Sequence, residues 1–205
     1  EKGGGFFASV LVFLKGVVFM TSSHTVPVPF LLRPWQAGDI PSVAQYADNP
    51  HIAAWLRNVF PQPYTRQDAE SYIYSCIEAG EDSQITRAIV ADGAAVGSIG
   101  IFRNQDIYER TAEIGYWLAE PYWGHSILSR AVPQLCAEAF ARWEDLVRIY
   151  AEPFADNPGS RRVLEKSGFT LEGLLRNHIC KNGTLHDSCI YALLREETLP
   201  SLQQA

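Results

Sequence analysis

The chain has 205 residues, 47% of them apolar, which is enough for one sizeable core and most simply one domain. A formal charge of −6 with no long basic run argues against a nucleic-acid groove and tolerates a cationic ligand. Cys76, Cys136, Cys180 and Cys189 form no Cys-x-x-Cys pair and have no His at a metal-ligand interval, which argues against zinc and for reduced core thiols.

Residues 1–19 start with Glu-Lys-Gly-Gly-Gly and continue as an apolar run broken by Lys15. The run is too short to span a bilayer and lacks the basic start and cleavage site of a secretory signal. Met20 is the only methionine, so 1–19 read as appended or upstream sequence and 20–205 as a single cytoplasmic domain. The alternative for 1–19 is an apolar anchor.

Phe30 to Trp35 reads as an edge strand. Gly38-Asp39-Ile40-Pro41 then starts a helix, with Asp39 as N-cap and Pro41 in the first turn. Asn49-Pro50 ends that helix and starts another, from His51 to about Asn58. The proline-rich loop 60–65 and its flanking helices can wall a cleft, which makes Tyr64 and Trp55 candidates for contact with a substrate. Thr65 with Asp68 caps a third helix, from Arg66 to about Ala79.

Arg87 to Ala91 and Ala95 to Phe102 form a hairpin about Asp92-Gly93, and Glu109 to Leu118 adds a third antiparallel strand. Glu120-Pro121 stops that strand. Beyond Trp123-Gly124, Ile127, Leu128, Ala131, Leu135 and Cys136 recur at helical spacing, so a helix runs from about residue 125 to Trp143. The first amides of such a helix lack internal partners and carry the positive end of its dipole. The first amides after Trp123-Gly124, from about His125 on, are therefore a candidate pyrophosphate site, although an ordinary strand-to-helix connection has the same pattern.

Val147 to Phe154 is a further strand, and Asn157-Pro158 starts a helix that ends at Ser167-Gly168. Phe169 to Cys180 and Thr184 to Leu194 close as a hairpin about Asn182-Gly183. A two-residue turn there sets Cys180 opposite Leu185, Cys189 opposite Arg176 and His178 opposite Asp187. That register offers no disulfide unless a bulge shifts it. It makes His178 either half of a structural cross-strand pair or a group that orients a substrate amine. The element order is α+β, with a mostly antiparallel sheet.

Three stretches carry a family resemblance, in this order: Pro63-Tyr64-Thr65; Glu113-Ile114-Gly115-Tyr116-Trp117-Leu118 with Tyr122-Trp123-Gly124; and residues 157–169 with Gly183-x-x-x-Asp187-x-x-x-Tyr191. Together they resemble the Gcn5-related N-acetyltransferases, in particular the RimJ/RimL branch that acetylates N-terminal amines of ribosomal proteins and related small amines. The resemblance spans about residues 30–196. It implies a GNAT fold, with a splayed central strand meeting a helix N-terminus and helices on both faces of the sheet. It also implies acetyl-CoA as co-substrate and no metal.

The family motif Gln/Arg-x-x-Gly-x-Gly/Ala falls on Trp123 to Leu128. Ser126 stands where the middle glycine is expected and Leu128 where the last small residue is expected. The resemblance further implies backbone contacts to the acyl oxygen around Trp117 and Leu118, and a cofactor contact from Asn157. Acetyl transfer needs a base for the amine and an acid for the leaving thiolate. Glu113, acting through water, is the candidate base, with a plain strand-surface carboxylate in a salt bridge as the alternative; Ser160, which matches the branch, is the candidate acid, with solvent as the other candidate.

The implied activity is direct acetyl transfer to a primary amine, a protein N-terminus or a small molecule, in a ternary complex. Ser126 and Leu128 motivate an alternative, a catalytically weak relative that binds CoA or a partner protein as a regulator. The expected partner is an amine substrate, with no nucleic acid and no membrane, and a homodimer is left open.

Overall fold

Runs of branched residues between 84 and 118 build three consecutive antiparallel strands, and the rest of the chain is arranged around them. The structure is a computed structural model and describes residues 27–198; the segment 1–19 lies outside the described residues. The strands are β1 (Leu31–Arg33), β2 (Gln84–Ala91), β3 (Ala94–Arg103), β4 (Thr111–Leu118), β5 (Arg148–Ala151), β6 (Thr170–Lys181) and β7 (Thr184–Leu194). They form one seven-stranded sheet in the order β1-β2-β3-β4-β5-β7-β6. All neighbours are antiparallel except β4 and β5.

The helices are α1 (Ile40–Ala47), α2 (Pro50–Ala53), α3 (Arg66–Glu78), α4 (Ile127–Arg142), α5 (Pro158–Lys166) and α6 (Arg195–Thr198). α2 is shorter than the helix expected through Asn58, and α4 starts at Ile127, two residues after the expected position. The sheet is covered on both sides. Ile114 and Leu118 of β4 join Ile127, Leu135 and Leu164 of α4 and α5 in the main core. Ala88 and Ala95 of β2 and β3 pack with Val43 and Ile73 of α1 and α3 in a second core. Burial on both faces explains why Ala88 to Ala91 of β2 and most of β3 read as apolar runs rather than alternating ones.

The turns follow their residues. Asp92-Gly93 and Asn182-Gly183 both have positive φ at their two central positions, the geometry that matches strand twist in a tight hairpin. At the head of α3, Thr65 Oγ1 accepts the Asp68 amide while the Asp68 carboxylate accepts the Thr65 amide. Replacing Thr65 by Ala removes half of this reciprocal cap. The expected loss is about 1 kcal/mol, read as a lower urea midpoint with an unchanged slope; an unchanged midpoint would show that the cap contributes nothing.

One register expectation is corrected. The β6–β7 pairing starts as expected, with Lys181 opposite Thr184, Cys180 opposite Leu185 and Ile179 opposite His186, but then shifts, so that Leu175 faces Ser188 and Leu174 faces Cys189. Residues 176–178 of β6 bulge opposite Asp187 alone, with Asn177 in the left-handed region at φ 52°. The Asn177 amide takes the Asp187 carboxylate at 2.7 Å. His178 is therefore not paired with Asp187, and the partner of Cys189 is Leu174 rather than Arg176. The four cysteines are free thiols.

Candidate active site

β4 and β5 run side by side only at Thr111–Arg148, Ala112–Ile149 and Glu113–Tyr150. Beyond Glu113 the two strands part, and the β5-side edge of β4 from Ile114 to Leu118 faces no strand among the described residues. A cavity of about 350 Å³ opens there. One wall is Glu113 to Tyr116 of β4, and another is Ala151 to Phe154 at the end of β5. Trp55 to Asn58 cover it, and Ile179 to Lys181 of the last hairpin close the side. Because side chains alternate along β4, Glu113 and Gly115 point to the α1/α3 face and Tyr116 to the α4/α5 face. Groups from both faces thus meet in one slot through the sheet.

Glu113 lies on the slot as expected, and its two carboxylate oxygens accept from Arg57 Nη2 at 2.5 and 2.7 Å. The pair raises the Arg57 pKa, chiefly through the hydrogen bond and then through the charge of Glu113, with Tyr150 and Glu152 adding smaller contributions. Ser160 lies across the slot, its Oγ sharing a 2.9 Å hydrogen bond with the Tyr116 hydroxyl. Burial pushes the Tyr116 phenol far above its ordinary pKa. The Asn157 carbonyl oxygen accepts the Ser160 amide at 3.1 Å, capping α5 and fixing the turn that carries Ser160.

Trp55 lines the cavity and stacks edge-on against Phe154, with ring centroids 5.7 Å apart. Tyr64 does not line it. That side chain is 7% exposed, lies in the second core against Phe60, and has its phenol pushed up to about 12 by burial. His178 is turned by the bulge toward β5, where Nδ1 meets Glu152 Oε1 at 2.5 Å and Ser188 Oγ at 3.1 Å.

At the far end of β4, the Trp123 indole donates to the Leu118 carbonyl at 2.7 Å, clamping the turn to the strand end. Gly124 and Ser126 both take left-handed backbone, at φ 79° and 57°. Space is open around Gly124, where an added Cβ would meet no atom within 4 Å. The amides from Gly124 to Leu128 have no acceptor among the described residues. Leu128 packs against the main core and Ile127 is buried, so of these two residues the amides are what the turn can offer. Trp117 sits against Phe60, and Leu118 is buried, leaving backbone as their means of contact.

These features fit a CoA-type ligand: unpartnered amides at a helix start suit a pyrophosphate, and an adjoining slot suits a narrow arm. Among the described residues, no group of three or more His, Cys, Asp or Glu is placed to hold a metal. No helix of the described residues is long and apolar enough to cross a membrane.

Residues 30–170 match the family model for the acetyltransferase (GNAT) domain. The chain belongs to the GNAT acetyltransferase family. Among relatives of this GNAT chain is the Bacillus subtilis protein YdaF, provisionally named a ribosomal N-acetyltransferase, 35% identical over 74% of this chain and 76% of its own length. The ribosomal-protein-serine acetyltransferase of Escherichia coli is 35% identical over 51% of this chain and 57% of its own. The structure of Mycobacterium smegmatis RimJ in complex with CoA-disulfide superposes with a TM-score of 0.73 at 27% identity, over 86% of this chain and 85% of that one. The RimJ/RimL resemblance drawn from the motifs agrees with these matches.

Several residues of the slot were not singled out from the sequence. Arg57, Glu152 and Lys181 bring charge into it, and Tyr116 backs Ser160. Lys181 Nζ donates to the Leu56 carbonyl at 2.8 Å, and burial lowers its pKa. Asn58 Nδ2 donates to the Cys180 carbonyl at 3.3 Å, and His51 and Asn49 both reach the Glu120 carboxylate. Residues 49–58 are thus a strap fastened across the mouth of the slot. Glu152 had a signal in hand, since ligands of parallel strands gather at their carboxyl ends.

Proposed function

We propose that the protein is an acetyl-CoA-dependent N-acetyltransferase acting on a primary amine. The observation that carries this reading is the parting of β4 from β5 at Glu113, with a carboxylate and a hydroxyl on opposite sides of the slot and free amides at its far end. The similarity to RimJ, solved in complex with CoA-disulfide, supports the same choice of ligand. The backbone of Gly124 to Leu128 would hold the pyrophosphate, and Asn157 and the free edge of β4 flank the arm. When bound, acetyl-CoA supplies an acetyl thioester that an unprotonated amine can attack.

Glu113 acts as base through a water molecule. A carboxylate has about four lone-pair sites, and Arg57 uses one on each oxygen, so acceptor capacity remains. Arg57 keeps the carboxylate aimed at the slot. Ser160 Oγ holds the proton delivered from the other wall, and the buried Tyr116 phenol, which stays neutral, orients it. Replacing Tyr116 by Phe removes that hydrogen bond and little else. The expected result is kcat lower by about three- to tenfold with both KM values unchanged; equal kcat would leave Ser160 without a backing partner.

The acceptor class favoured is a protein N-terminus or small amine, in line with the ribosomal-protein acetyltransferases among the relatives. The regulator alternative rests on Ser126 and Leu128. Ser126 reaches the left-handed conformation without glycine, and Leu128 is directed into the core, so neither departure fills the turn. Thiol release from acetyl-CoA, measured against N-terminal peptides and polyamines, tests the reading. Turnover with at least one amine is expected; CoA binding without turnover would favour the regulator, and neither binding nor release would overturn both.

A further inference from the structure

Four charged groups line the slot, two of each sign. Glu113 and Arg57 hold each other, and Lys181 is tied to the Leu56 carbonyl. Glu152 differs. Its Oε1 receives the Ser188 hydroxyl at 2.7 Å and His178 Nδ1 at 2.5 Å, whereas Oε2 has no partner among the described residues. Ser188 is fully buried, so the hydroxyl that fixes the carboxylate is itself held rigidly. The β6 bulge supplies the second anchor, since without it His178 would face Asp187 instead of β5. A carboxylate gripped by one oxygen and open at the other, on the wall of a cavity, is arranged to receive a donor.

We propose that Glu152 Oε2 is the docking point for the protonated amino group of the acceptor. The inference rests on the acetyltransferase reading. An ammonium group suits the site better than the other candidates. A carboxylate oxygen such as Oε2 repels an anion, and a divalent cation needs more ligands than the slot collects, for no group of three such side chains stands there among the described residues. Glu152 lines the same cavity as Arg57 and Glu113. A cation on Glu152 is therefore brought beside Glu113, the group that then takes its proton. Glu152 binds and selects, and Glu113 acts on the proton.

The test is a calorimetric titration of the protein, saturated with CoA so that no transfer occurs. The two probes are 1,4-diaminobutane and a hexapeptide with a free N-terminal serine, which distinguish a small amine from a peptide as the source of the ammonium group. At least one probe should bind the wild type, and Glu152→Gln should weaken that binding about tenfold, the cost of losing one charge-assisted hydrogen bond. Glu152→Asp should recover part of it, and the CoA affinity of both variants should stay within about twofold of wild type. Weakening of less than fivefold in Glu152→Gln, or no binding of either probe to the wild type, would overturn the assignment. Failure of CoA itself to bind would instead count against the acetyltransferase reading, so the two failures are distinguishable.

Discussion

Glu113→Gln is expected to lower kcat/KM for the amine about 100-fold at pH 7, a deficit that narrows to about tenfold near pH 9.5. The sign follows from the proton that must leave. At neutral pH nearly all of a primary amine is protonated, and a base in the slot is needed at every turnover. At high pH more amine arrives unprotonated, and the missing carboxylate matters less. Glutamine keeps the shape of the side chain but cannot accept the proton. The change also breaks the pair with Arg57, which has to be separated from loss of the base. Arg57 is 75% exposed and Glu113 28%, so the pair contributes at most about 1 kcal/mol to stability. Arg57→Ala is the control: it removes the pair and leaves the base, and activity should remain within about tenfold of wild type. Equal pH–rate profiles for wild type and Glu113→Gln would exclude the role.

The second large effect concerns the turn before α4. Proline fixes φ near −65°, whereas Ser126 sits at 57°. Ser126→Pro must therefore flip the turn, and it deletes one amide as well. Losing one or two amide contacts to a pyrophosphate should raise the Kd for CoA by about 30- to 100-fold. Ser126→Gly makes the opposite change. It relieves the left-handed cost of about 1 kcal/mol and keeps every amide in place, so its affinity should equal or exceed that of wild type. The pair of variants distinguishes backbone recognition from recognition by the serine hydroxyl, because glycine lacks the hydroxyl too. If Ser126→Pro bound CoA as wild type does, the turn would not be the phosphate site.

The sequence and the structure agree where local chemistry decides. Capping at Thr65 and Asp68, the Asp92-Gly93 and Asn182-Gly183 turns and the proline start of α5 depend on neighbours a few residues away, and each formed where expected. The motif stretches contain Glu113 and Ser160, which line one slot with Trp55, and Asn157, which caps the turn that carries Ser160. What escaped depends on distance along the chain. Arg57 meets Glu113 across 56 positions, and nothing near either residue announces the pair. The bulge at 176–178 is also a long-range result. Turn chemistry set the register next to Gly183, but the ladder shifts where β7 also bonds Pro153 to Ala155, the segment after β5, and where Asn177 bonds Asp187. His178 was thereby re-aimed to Glu152, a residue that stood out on no periodic pattern. Tyr64 failed as a cleft residue because the loop that carries it folds inward, against Phe60 and the second core.

The most direct test is a crystal structure of the protein grown with CoA. Pyrophosphate oxygens are expected within hydrogen-bond distance of the amides between Gly124 and Leu128, with the sulfur end of the arm lying between β4 and β5 near Ser160. A pyrophosphate bound elsewhere, or an arm kept out of the slot by Leu128 or by the strap at 49–58, would contradict this placement.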